Sequence, residues 1–435
     1  MKHLLPNLLP RILNRTLPLL ALLAFCGAIF SAATVSSASR IQMKAAGATQ
    51  FPIRSGYVGN AACLACHRDL IETYFHTAHH LTSQTPSSES ILGSFSPSSN
   101  TLRISRPATD AANPPLFFRM EKKAEGFYES AFLEMGSPVL LQSARIDLVI
   151  GSGVRGQTYL YWHGNALYEL PVSYWTEGHQ WINSPGYVDG TANFARPAVP
   201  RCMECHATYI RAHSRGPYTN IYKKDSLVLG ISCETCHGPG AKHVALESST
   251  SAKVRAAGAA AILNPAHFSR DRQVDLCALC HNGVQSQELL PAFSYLPGKP
   301  IDQFFAPAPP GSAVPDVHAN QVGLLKLSEC YRMSSSMTCS TCHNVHVPEE
   351  TAADYSNRCM RCHDWRSCGE SRRLGIAITR DCVDCHMPML QTRAIVSVTA
   401  GRELHTTIRT HWIKVYPEVS RAIADTLVQN RSYRR

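Results

Sequence analysis

Residues 337–347 read MTCSTCHNVHV. Cys339, Cys342 and His343 make the pattern C-x-x-C-H, and a second histidine, His346, follows three residues later. Cysteines at i and i+3 lie on one face of a helical turn. Both thiols can then bond to the two vinyl groups of one haem, with the next histidine carried under the ring as the proximal iron ligand. His346 points the same way as His343 on such a turn. Axial ligands must approach an iron from opposite faces, so His346 is expected to serve a different iron from His343.

The pattern occurs seven times. The attachment pairs are Cys63 and Cys66, Cys202 and Cys205, Cys233 and Cys236, Cys277 and Cys280, Cys339 and Cys342, Cys359 and Cys362, and Cys382 and Cys385. The proximal histidines are His67, His206, His237, His281, His343, His363 and His386. We number the motifs 1 to 7 in that order. Zinc sites also use C-x-x-C pairs, but they do not need a histidine after each one. A thioredoxin-like pair needs one copy in a βαβ setting, and ordinary disulfides would not produce a fixed triplet. The expected cofactor set is therefore seven c-type haems.

Residues 1–38 read as an export signal. Lys2, Arg11 and Arg15 precede the apolar run LPLLALLAFCGAIFSAA (17–33), and small residues follow. An uncleaved anchor is the alternative, because the run approaches spanning length. Membrane association is expected only through this segment. Export places the mature chain in the periplasm or on the outer cell surface, which agrees with a haem attachment made outside the cytoplasm. The formal net charge is +10. There is no basic run, and each ferric haem with two propionates adds about one negative charge. The surplus Lys and Arg are thus expected to pair with propionates, and nucleic acid is not an expected partner.

Motif 1 stands alone, while the other six fall between Cys202 and His386. That is too little chain per haem for a conventional core. The expected fold class is a multihaem c-type cytochrome of haem-packed short helices and loops, with a β-rich haem-free insertion. The expected divisions are a first haem segment at 55–95, the insertion at 96–195, a six-haem domain at 196–395 and a C-terminal segment at 396–435. The insertion contains ARIDLVI, QTYLYW and ALYELPVSYW, rich in β-branched and aromatic residues. HGN (163–165) marks a hairpin turn. GSGVRG (151–156) matches G-x-G-x-x-G, but strand-like QTYLYW follows it where a dinucleotide site needs a helix.

The chain resembles bacterial multihaem c-type cytochromes with cytochrome c-554-like modules. The resemblance rests on YVGNAACLACH (57–67) with TAHHLTS (77–83), and on GISCETCHGPGAKH (230–243) and LSECYRMSSSMTCSTCHNVH (327–346). CVDCHMPM (382–389) with THWIKVY (410–416) adds to it, as do the haem-free stretches IDLVIGSGVRGQTYLYW (146–162) and LPVSYWTEGHQWINSPGY (170–187). The resemblance implies electron transfer outside the cytoplasm with other redox proteins as donor and acceptor. It also implies distal iron ligands at His79, His243, His318 and His411, with His76 and His80 as rivals to His79. His163, His179, His213 and His267 are read as non-ligands, and Met387 and Met389 as core residues. Apart from Cys26 in the expected signal, Cys330 and Cys368 remain outside the motifs, as a disulfide or as two separate thiols.

Bis-histidine ligation suits electron transfer. Two alternatives stand beside that reading. One is an oxidoreductase acting on a small nitrogen or sulfur compound at one open haem. The other is a structural subunit of a larger respiratory complex or cytochrome polymer.

Overall fold

The computed structural model describes residues 56–104, 114–214, 216–283, 286–309 and 312–432. The expected signal or anchor lies outside them. No helix among the described residues is long and apolar enough to cross a membrane. Residues Thr49–Arg435 form one compact unit, so the haem segments and the β-rich region are not separable bodies.

The β-rich region holds two antiparallel sheets. One has four strands in the order Thr101–Arg103, Leu116–Lys123, Gly126–Met135 and Ser137–Arg145. The second runs Ser83–Gln84, Leu148–Ile150, Gly156–His163, Ala166–Glu169 and Arg196–Pro197, with Val172–Trp175 and Gln180–Asn183 branching from its centre. Strand Ser83–Gln84 comes from the expected first haem segment, so the insertion begins earlier in space than in sequence. The turn at HGN is present: His163 pairs with Ala166 across a Gly-Asn loop, with Gly164 at φ 57°. GSGVRG connects two strands, and no helix follows it.

Alternation places one face of these strands inside. Phe118, Met120, Ala131, Val149, Tyr159, Leu170, Val172 and Trp181 form the centre of the largest apolar cluster. A second cluster joins Leu148, Leu160 and Leu167 to Met203, Ala207, Ile210 and Tyr222. This seats the motif 2 helix, Pro200–His206, and the hairpin Ala207–Ala212/Tyr222–Leu229 on the second sheet. Beyond that hairpin the chain forms short helices whose clusters have only three or four fully buried apolar members each.

The expected boundary at 395/396 falls inside an element of the structure. It cuts a hairpin, Met389–Thr399 with Arg402–Arg409, which turns at Ala400 and Gly401 in left-handed conformations. Ser397 donates to the Asn183 carbonyl at 2.7 Å, and Asn183 Nδ2 donates to the Val398 carbonyl at 2.7 Å, tying the hairpin to the second sheet. Met389 is an exposed member of this hairpin, so the core reading does not hold for it. Helix Pro417–Ser432 follows, and its Ala424 packs on Leu374 and Ile378.

Candidate functional site

Each C-x-x-C-H triplet lies on a helical turn. Motifs 2, 3 and 7 lie within Pro200–His206, Cys233–His237 and Cys382–His386, and motif 4 ends Arg270–His281. In motifs 1, 5 and 6 the histidine N–H donates to the carbonyl of the first cysteine, at 3.0, 2.9 and 3.0 Å. The two thiols and the imidazole of each motif therefore share one side of a turn, as attachment to one ring requires.

The second histidines come from elsewhere. His243 lies against His67 with ring centres 6.3 Å apart and planes at 21°. His346 lies against His237 at 6.1 Å and 29°, and His411 against His343 at 6.1 Å and 25°. His79 meets His281 at 6.2 Å with planes at 90°. His318 lies within electrostatic reach of His206. These pairs fit an iron between two imidazoles. Metal–nitrogen bonds of about 2 Å on each side, plus the offset of each nitrogen from its ring centre, give a separation of about 6 Å. Direct stacking would be closer, and in each of these four pairs one imidazole belongs to a C-x-x-C-H motif and the other to a histidine outside the motifs.

The unused ring nitrogens are also placed as ligands need. Nδ1 of His237, His243 and His386 lies 2.8, 2.9 and 2.9 Å from the carbonyls of Leu263, Gly258 and Lys414. A carbonyl only accepts, so Nδ1 carries the proton in each and Nε2 keeps its lone pair. Thr82 and Gln321 hold the Nδ1 atoms of His206 and His281 at 2.9 and 3.0 Å. Burial pushes His79, His206 and His411 down to about 4, with His281 adding to the effect at His79 and His343 at His411. They are therefore neutral at physiological pH, the form that ligates.

Side chains far along the chain fix these histidines. The Ser328 hydroxyl donates to the His411 carbonyl at 2.9 Å and accepts from Ile413 N–H at 2.7 Å. Asp316 accepts from His318 N–H and from the Arg393 N–H of the last hairpin, at 2.8 and 2.7 Å. Thr73 donates to the His346 carbonyl at 2.9 Å. None of these partners carries a local sequence signal.

The rival His80 stacks on Phe75 at 4.6 Å, and its Nδ1 is buried without a hydrogen-bond partner. His405 Nδ1 lies 3.0 Å from the Thr392 carbonyl, within the last hairpin. Cys330 and Cys368 are not bonded to each other in this structure. The charge neighbours of Cys330 include Cys362, whereas Cys368 lies beside Cys382 and Cys385. The two face different motifs, which is why they do not meet.

Residues 182–238, which include motifs 2 and 3, match the family model described as cytochrome c554 and c-prime. No curated protein matches by sequence. Among solved structures the fold is similar to the outer cell wall cytochrome OcwA, with a TM-score of 0.51 and 16% identity. The alignment covers 85% of this chain and 82% of that one. The family segment thus carries two of the seven triplets, and the structural likeness shows a shared fold over most of the chain.

Proposed function

We propose that the chain is a periplasmic or cell-surface electron carrier holding seven c-type haems, with other redox proteins as donor and acceptor. The fourteen motif cysteines would make the thioether bonds, and the seven motif histidines would be the proximal ligands. His243, His318, His346, His79 and His411 would be the distal ligands of haems 1 to 5 in that order. The observation that carries this reading is the repeated imidazole separation of 6.1–6.3 Å. Bound haem supplies one-electron chemistry. The chain's own contribution is to close both iron faces with neutral imidazoles, fix their rings through Nδ1, and bring distant segments together around each site. The small apolar clusters of the helical part support haems as its main filling. A surface location fits the outer cell wall named for the structurally similar cytochrome.

A second reading, catalysis at one open haem, centres on motifs 6 and 7. Among the described residues, the imidazole pairs above involve motifs 1 to 5 only, and His363 is exposed. Intact mass and ferric spectra test both. Seven attached haems with predominantly low-spin iron and no turnover of nitrite or hydroxylamine is the expected result. Fewer than seven haems overturns the cofactor count. High-spin iron with turnover overturns the carrier reading in favour of the catalyst.

A further inference from the structure

The motifs are clasped to one another in pairs. The Glu234 carboxylate of motif 3 accepts the N–H groups of Val58 and Gly59, just before motif 1, at 2.9 and 2.7 Å. The sulfurs of Cys63 and Cys233 are neighbours. Arg201, beside motif 2, donates to the Leu279 carbonyl inside motif 4 at 2.9 Å, and Cys205 meets Cys280. Arg270 of the motif 4 helix donates to the Met337 carbonyl before motif 5 at 3.1 Å, and Cys277 meets Cys339. Arg358, beside motif 6, donates to the Cys342 carbonyl of motif 5. The buried Ser356 hydroxyl, on the motif 6 helix, accepts from Val383 N–H of motif 7 at 3.1 Å. Finally, Glu204, Glu234 and Leu279, one residue from inside each of motifs 2, 3 and 4, line a single cavity of about 50 Å³.

We infer that the seven attachment sites form a branched line in space, running 1–3–4–5–6–7, with site 2 joined at site 4. Sequence order is broken twice, because the clasps join motif 1 to motif 3 and motif 2 to motif 4. Motif 4 is the junction, since its cysteines lie against both motif 2 and motif 5, and its Cys277 has Cys236 of motif 3 as a charge neighbour. The line has three ends, at motifs 1, 2 and 7, so electron donors and acceptors have three places to dock. This inference rests on the haem reading above.

Magnetic coupling in the full haem-loaded protein tests it. Site 4 has the perpendicular imidazole pair and so gives a separately recognisable ferric EPR signal with a large highest g value. Removing one distal imidazole makes that site high-spin and turns it into a relaxation marker for its neighbours. His318→Gly (site 2) and His411→Gly (site 5) are expected to broaden the site 4 signal and reduce its amplitude. His243→Gly (site 1) is expected to leave it unchanged, because site 1 reaches site 4 only through site 3. Loss of amplitude with His243→Gly, or none with His318→Gly, overturns the order while the haem reading stands. A mass other than seven haems, or no high-spin marker in any variant, overturns both. Should the glycine variant of site 2 not accumulate, His318→Met keeps that site six-coordinate and raises its potential. Reducing site 2 alone then makes it diamagnetic, which is expected to sharpen the site 4 signal; no change overturns the junction.

Discussion

Each triplet declares its cofactor locally, because three residue types on one turn perform one attachment. The opposing imidazole is not local. His243 lies against His67 from 176 residues further along the chain, and His79 lies against His281 from a different motif segment altogether. Spacing alone shows only that His346 cannot share an iron with His343. Its placement against His237 required the fold. The ring planes carry a spectroscopic consequence. Near-parallel imidazoles give rhombic low-spin ferric signals, and perpendicular ones a strongly axial signal. Three pairs lie within 29° of parallel and one is perpendicular. Three rhombic signals and one axial signal are therefore expected from sites 1, 3, 4 and 5, and His79→Ala should remove the axial one. Away from the haem sites, burial pushes the Glu169 carboxyl up to about 7 from 4.5, despite Arg196 at 3.2 Å. The folded state holds that proton more tightly than the unfolded chain. The resulting stability is full below about pH 4.5 and is lost as the pH rises through about 7. Glu169→Gln removes this dependence and should be the more stable form at pH 8, by roughly 3 kcal/mol at most. Chemical denaturation across pH 4 to 8 checks the slope.

The elements divide between those read from pattern and those whose boundaries were missed. The Gly-Asn hairpin and the strand-like setting of GSGVRG were legible because alternation and turn chemistry are local. The last hairpin had a similar signal in AIVSVTAGRELHTTI, with its Ala-Gly turn, but the nearby motif 7 drew the boundary into its first strand. The inter-motif clasps left no such trace. Glu234 looks like a variable residue inside C-x-x-C, yet it is 3% exposed and accepts from three backbone N–H groups, at 58, 59 and 240. Glu234→Ala leaves those donors buried without a partner, each costing about 1–3 kcal/mol. The variant should lose several kcal/mol, with haem loss concentrated at motifs 1 and 3. Glu234→Gln keeps one acceptor oxygen and should fall between it and the wild type. Denaturant midpoints and haem content per peptide after digestion measure both effects.

At the scale of the whole molecule, two kinds of core share one compact unit. The sheets bury large aromatic and aliphatic side chains such as Phe118, Met120 and Tyr159 completely. The helical part has only small apolar clusters, spread between motifs. Burial of apolar surface is the main favourable term in folding, so these two parts should respond differently to haem. When the protein is made where attachment cannot occur, the sheets keep their apolar filling and the motif helices do not. Limited proteolysis should then leave a resistant fragment spanning roughly residues 83–197, while residues 200–415 are cleaved. The haem-loaded protein should resist cleavage throughout both regions. The hairpin Met389–Arg409 is the informative intermediate, because it is anchored to Asn183 of the second sheet. If the sheet anchor dominates, the hairpin survives as a protected peptide after the motifs around it are lost. Equal resistance of both regions without haem would mean that the short helices hold their shape by other means, and the contrast between the two cores would fail. Phe118→Ala separates the cases from the other side. It should cost about 3–5 kcal/mol in the sheets and expose the resistant fragment to protease while leaving seven haems attached.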